Sequence, residues 1–270
     1  MSIGASNCSE PGELVAIVAE PRCSANRATD IDDRYPASDS SVHSARRDLA
    51  RTEARGMVLT ADDLHRIAKR TLAHYDQHAQ AYWEGTRDHD VRQNIGALLE
   101  HIGAPPPFDL LDFGCGPGRD LSTFKALGHR AIGLEGSPQL AAMARTTSGC
   151  EVLEQNFLAL DLPGSHFDGV FANAVLFHIP SQELPRILRQ LRATLKPGGV
   201  LFSSNPRGAG QEGWNGERYG AFYDWPTWNG HVSAAGFAEL THFYRPAGAP
   251  IEQQTWLASV WRKPTTSIRK

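Results

Sequence analysis

The chain has 270 residues, 27 basic against 30 acidic side chains, a formal charge of −3 and 41% hydrophobic content. That balance excludes a general nucleic-acid coat, which needs a basic surplus to displace phosphate counterions, and the hydrophobic content excludes a fibrous or wholly disordered chain. No CxxC pair links Cys8, Cys23, Cys115 and Cys150, and the early apolar run from Leu14 to Ala19 is short and has no basic stretch before it; the expectation is a soluble cytoplasmic protein with neither a nucleic-acid nor a membrane partner.

Residues 1–56 hold eight serines, a single aromatic residue (Tyr35) and no helical or strand periodicity, which predicts a disordered extension. Residues 57–270 are predicted to form one domain. Thr60 caps a helix with Asp63 three residues on, and Leu64, Ile67, Ala68, Leu72 and Tyr75 carry its apolar face. Val91, Ile95, Leu98, Leu99 and Ile102 mark a second helix, which Pro105, Pro106 and Pro107 stop. A strand follows from Phe108 to Phe113, then a helix through Leu121, Phe124 and Leu127, and a second strand from Arg130 to Leu134. Ser137 and Pro138 open a helix running to about Ser148. Strands are predicted over Glu151–Phe157, Phe167–Val175 and Val200–Ser204, with a helix opened by Ser181 and ended by Lys196-Pro-Gly-Gly199. Phe237–Arg245 and Thr255–Trp261 read as two further strands with no helix between. The pattern predicts an α/β, Rossmann-like, mostly parallel sheet ending in an antiparallel hairpin at one edge.

Leu110-Leu-Asp-Phe-Gly-Cys-Gly-Pro-Gly118 lies between the first strand and its helix. Glycines there let the backbone approach a ligand, and the following helix offers free N–H groups and the positive end of its dipole. Glu135 stands 21 residues beyond Gly114, at the end of the next strand, where a carboxylate takes both hydroxyls of a ribose. A dinucleotide fingerprint would need its third glycine at position 119, which is Arg119.

With Asp112 before the loop, the Phe167-Asp-Gly-Val-Phe171 strand and Leu195-Lys-Pro-Gly-Gly199, residues 60–262 resemble the class I, seven-stranded S-adenosylmethionine-dependent methyltransferases. The resemblance implies S-adenosylmethionine as cofactor. By matching position, Asp112 would orient the loop and the methionine part, Gly114 and Gly116 would line the cofactor, Glu135 with Gly136 would hold the ribose, Asn156 and Phe157 would meet adenine, and Asn173 would approach the methionine portion. Asn156 replaces the family's usual Asp, and its amide oxygen still accepts from the adenine amino group without charge assistance. Arg87 would cover the methionine carboxylate from the N-terminal helices.

Gly85-Thr-Arg-Asp-His-Asp-Val91, Ala172-Asn-Ala-Val-Leu-Phe-His178, Ser204-Asn-Pro-Arg-Gly208, Gly213-Trp-Asn-Gly-Glu-Arg-Tyr219 and Trp256-Leu-Ala-Ser-Val-Trp-Arg262 together resemble the methyltransferase of ovothiol biosynthesis. That family methylates an imidazole nitrogen of 5-thiohistidine, and this chain would be its stand-alone form. On that reading Trp214 and Tyr219 would hold a flat ring, while His89 and Asn205 would line the acceptor side. Arg207 would pair with a carboxylate, with Arg245 as second choice. His178 would hydrogen-bond the acceptor or take its proton. Other small nucleophiles (a phenol, thiol or carboxylate) and a non-catalytic cofactor-binding protein stay open. His74 and His78 lie one helical turn apart, but no third ligand is evident, so no metal is expected.

Overall fold

The computed structural model describes residues 58–265; the expectation for residues 1–56 lies outside them. The capping box at Thr60 is formed in full: Asp63 N–H donates to the Thr60 hydroxyl oxygen (3.2 Å) and Thr60 N–H to the Asp63 carboxylate (3.0 Å). It opens α1 (Ala61–Gln77), followed by α2 (Ala79–Thr86) and α3 (Arg92–Leu99). Then come β1 (Asp109–Phe113), α4 (Arg119–Ala126), β2 (Arg130–Glu135), α5 (Pro138–Ser148), β3 (Val152–Glu154), β4 (Phe167–Asn173), α6 (Leu184–Thr194) and β5 (Leu195–Pro206). A short hairpin of β6 (Glu212–Asn215) and β7 (Arg218–Ala221), helix α7 (Trp225–Ala234), β8 (Ala238–Arg245) and β9 (Trp256–Arg262) follow.

Seven strands form one sheet in the order β3-β2-β1-β4-β5-β9-β8, parallel through β5, with β9 antiparallel to both β5 and β8. The sheet is covered on both faces, so neighbouring residues of one strand enter different cores. Val170 and Leu201 join Leu188, Leu191 and Trp228 on one side, while Phe171 and Phe202 join Leu98 and Phe124 on the other. Burial on both faces explains the near-continuous apolar runs of β1 and β4. At the last strand, the Ser259 hydroxyl oxygen accepts the indole N–H of Trp228 (3.0 Å) and of Trp261 (2.9 Å). With both lone pairs used, Ser259 donates its own proton to Ser203 (2.9 Å).

Three boundaries depart most from the sequence reading. β3 ends at Glu154 because the Asn156 side chain accepts the Leu158 N–H (2.9 Å) and turns the chain out of the sheet. Ser181 caps no helix, since its N–H donates to Glu212 (2.9 Å) and α6 starts at Leu184. The Lys-Pro-Gly-Gly segment lies inside β5, where Lys196 reaches Asp109 (2.8 Å) and Asp168 (3.0 Å). Helices α2 and α7 and the β6–β7 hairpin escape the sequence reading because their apolar residues are few and their pairing is tertiary.

Candidate active site

Parallel pairing brings the carboxyl ends of β1, β2 and β4 to one edge of the sheet, where open α/β sheets hold ligands. The loop after β1 turns there with left-handed φ at Gly114 (75°) and Gly118 (90°). A Cβ on Gly114 would lie 2.3 Å from Val175 Cγ2, and one on Gly118 would lie 2.7 Å from Ala144 Cα. The first contact keeps the loop against the end of β4. The second lets α4 pack on α5.

Glu135 closes the loop from the next strand. Its Oε2 accepts the Gly116 N–H (3.0 Å) and its Oε1 the Ser137 N–H (2.8 Å). Burial pushes its carboxyl above the ordinary glutamate range, while those N–H donors and that of Gly136 oppose the shift. Each oxygen keeps a second lone pair for a ligand hydroxyl.

Above this edge lies a cleft enclosing about 720 Å³ of empty space, its open mouth included. Gly114, Gly116, Glu135, Gly136, Asn156 and Phe157 line one end, beside Leu140 and Leu158, and Tyr75, Tyr82, Ala174, Val175 and His178 line the other. Helix α1 forms the roof through Ile67, Ala68, Thr71 and Leu72. Polar contacts hold it down along its length. Thr71 accepts the Tyr219 N–H (3.1 Å), and Asp76 accepts from the Ser137 hydroxyl and the Gln139 N–H (both 2.9 Å). Arg70 forms a two-bond pair with Glu217 (2.6 and 2.7 Å) and lies 4.4 Å over the Trp214 ring.

Beneath the glycine loop, Asp112 is 2% exposed and its Oδ2 has no hydrogen-bond partner. Burial pushes its carboxyl well up, Asp120 and Glu135 add to the shift, and Arg119 opposes it. Arg119 grips Asp120 with two bonds (2.7 and 2.9 Å) and the Thr86 carbonyl with a third (2.7 Å). Asn94 of α3 donates to Asn173 Oδ1 (3.0 Å), and the Asn173 Nδ2 in turn donates to Asp120 (3.4 Å). That leaves Asn94 Oδ1, also buried, without a partner.

The family model described as a methyltransferase domain matches residues 111–203, the span from β1 to β5 that carries the glycine loop, Glu135 and β4. That span of the chain carries a methyltransferase domain. It is 32% identical over 145 residues to the malonyl-[acyl-carrier protein] O-methyltransferase of Erwinia pyrifoliae, covering 53% of this chain and 51% of that one. It is 35% identical over 113 residues to the trans-aconitate 2-methyltransferase of Methylobacterium nodulans, covering 40% and 42%. The chain thus spans about half the length of these relatives. Among solved structures, it superposes on the Burkholderia thailandensis 1,6-didemethyltoxoflavin-N1-methyltransferase with a TM-score of 0.63 at 23% identity, covering 77% of this chain and 92% of that one. That neighbour was crystallised with 1,6-didemethyltoxoflavin and S-adenosylhomocysteine. At this identity the likeness speaks for the fold.

The cleft fits S-adenosylmethionine on its own chemistry. The Glu135 carboxylate suits a vicinal diol and the apolar end at Phe157, Leu158 and Leu140 suits a purine, whereas Asp112 and Asn94, each with an orphaned buried oxygen, lie beneath the loop and outside the cleft lining. Asn94 escapes the sequence reading, although a polar residue inside the apolar stripe of Val91, Ile95 and Leu98 is the signal that marks it. Asn156 lines the expected end, but its side-chain oxygen already accepts the Leu158 N–H, so its second lone pair and its amide N–H groups remain for a base.

The acceptor side departs most from expectation. Arg87 is not at the cleft; its guanidinium is 52% exposed and pairs with Asp88. Arg207 donates from Nη1 to the Ile251 and Gln254 carbonyls (2.7 and 2.6 Å) and lies over Tyr244, so it secures the loop before β9. Arg245 donates to the Asp90 carbonyl (3.0 Å) and ties that segment to β8. Trp214 packs under Arg70, and the Tyr219 hydroxyl donates to Glu212 (2.9 Å). His89, Asn173 and Asn205 also lie outside the lining, Asn205 with both side-chain polar atoms buried and unpartnered. Arg207, Arg245 and Tyr219 thus find backbone or carboxylate partners that only folding supplies.

His178, in the short 3-10 turn Leu176–His178, does face the cleft. Its Nδ1 lies 2.7 Å from the Tyr219 carbonyl and its Nε2 lies 2.8 Å from the Tyr75 hydroxyl. Burial pushes its pKa down to about 4; the Tyr219 contact opposes this, while Arg218 and His74 add to it. The ring is therefore neutral at physiological pH and a weak base, which counts against the expected role of taking the acceptor's proton. Among the described residues no group of three or more His, Cys, Asp or Glu is placed to hold a metal, and no helix is long and apolar enough to cross a membrane.

Proposed function

We propose that this chain binds S-adenosylmethionine in the α1-roofed cleft and methylates a small polar acceptor that enters beside Tyr75 and His178. The observation that carries it is the buried Glu135 carboxylate, held by two backbone N–H groups at one end of an apolar cleft in this fold. When bound, the cofactor supplies an electrophilic methyl on a sulfonium sulfur. The protein contributes alignment and exclusion of water: α1 roofs the cleft, Val175 and Gly114 pack at its floor, and Tyr75 and His178 form the wall beside the acceptor.

The acceptor is proposed to be a flat nitrogen heterocycle, with the imidazole nitrogen of 5-thiohistidine as first candidate from the sequence blocks. Among the described residues no Lys or Arg lines the cleft itself, which favours an uncharged ring at the transfer point over a bare carboxylate. The Arg218 guanidinium, 5.8 Å over the Tyr75 ring, replaces Arg207 as the proposed partner for an acceptor's own carboxylate. The names of the malonyl and trans-aconitate relatives favour a second reading, methylation of a carboxylate. Calorimetry with S-adenosylhomocysteine tests cofactor binding, and labelled methyl transfer to 5-thiohistidine, histidine, catechols, malonyl thioesters and trans-aconitate separates the acceptors. Binding with turnover on no acceptor would instead favour a non-catalytic protein.

A further inference from the structure

The contacts around His178 have a fixed direction. A carbonyl only accepts, so the bond between Nδ1 and the Tyr219 oxygen places the ring proton on Nδ1. The ring is neutral at pH 7, with its pKa held down to about 4 chiefly by burial, so Nε2 carries a lone pair. The Tyr75 hydroxyl, 2.8 Å away, therefore donates to Nε2. The polarity is set from outside the cleft, because the same Tyr219 peptide anchors to α1 through its N–H and Thr71.

Resting on the methyltransferase function proposed above, we infer that Tyr75 is a specificity-determining residue that selects acceptors carrying an N–H or O–H donor beside the nucleophilic atom. A hydroxyl that has given its proton to His178 meets a third group only through its oxygen lone pairs. A carboxylate, which at neutral pH only accepts, gains no bond there. A neutral azole carries its N–H and its nucleophilic lone pair on different nitrogens, so holding the N–H at Tyr75 turns the other nitrogen away from Tyr75 and across the cleft. His178 acts through Tyr75 as a positioning residue.

The test uses the full chain saturated with S-adenosylhomocysteine at pH 8, with imidazole, 1-methylimidazole and acetate as probes in NMR titrations. Imidazole and 1-methylimidazole share a ring, but only the first has an N–H. Imidazole is expected to bind about 5-fold more tightly than 1-methylimidazole, and more tightly than acetate, as one net hydrogen bond allows. In Tyr75→Phe the ratio of the two azoles falls to about 1, with S-adenosylhomocysteine affinity unchanged. A merely structural role for Tyr75 would weaken both azoles together. Equal azole affinities in the unaltered protein, undetectable imidazole binding, a preference for acetate, or a ratio that survives in Tyr75→Phe would overturn this inference alone. Failure of the chain to take up S-adenosylhomocysteine would overturn the proposed function and this inference with it.

Discussion

Replacing Glu135 with glutamine is a sharper perturbation than its shape suggests. The wild-type carboxylate accepts from Ser137 N–H at one oxygen and from Gly116 N–H at the other, in a side chain 6% exposed. An amide of the same outline has one acceptor and two donors, so whichever way it turns, one backbone N–H faces an NH2 group. A buried N–H without an acceptor costs about 1–3 kcal/mol. For a domain of this size, at about 2–4 °C per kcal/mol, Tm falls by roughly 2–12 °C. Cofactor binding loses a charge-assisted hydrogen bond worth about 1.5–3 kcal/mol, which raises Kd for S-adenosylhomocysteine by about 10–150-fold. Calorimetry and thermal melting on the same preparation read both effects. A glutamine variant with unaltered Kd and unaltered Tm would refute the assignment of Glu135 both as loop anchor and as diol partner.

Gly118→Ala places a Cβ at φ 90° and 2.7 Å from Ala144 Cα; a loss of about 2–4 kcal/mol is expected in urea unfolding. For His178, the unfolded chain takes up its proton near pH 6.5 and the folded chain only near pH 4. The unfolded state thus binds more protons between these values, and stability, full above pH 6.5, falls toward pH 4 by at most about 1.4 kcal/mol per pH unit. Urea midpoints across this range should show that slope, reduced in His178→Asn. Arg207→Ala should leave the acceptor KM unchanged while limited proteolysis opens the 246–255 loop, because its Nη1 bonds go to Ile251 and Gln254. Arg218→Ala should raise KM by about 10-fold for an acceptor bearing a carboxylate and leave an imidazole without one unaffected.

Apart from α2, the succession of elements from Thr60 to β5 was legible in the chain because it is written in local chemistry. The capping box of Thr60 and Asp63, the Ser137-Pro138 start and the glycine loop each act within a few residues. Glu135 and Gly116 are likewise predictable, since strand length and parallel register alone bring the end of β2 beside the loop after β1. The acceptor side obeys no such local rule. Arg207, Arg245 and Trp214 were drawn to Ile251, Asp90 and Arg70, partners 44, 155 and 144 residues away, respectively, in the chain. A long guanidinium or indole pairs with whatever folding sets within reach. Tyr75 became a cleft residue, and His178 a neutral one, only when α1 and the β6–β7 hairpin met across the open edge of the sheet. Proton direction between two side chains depends on the third group each touches, and that group comes from a different part of the chain.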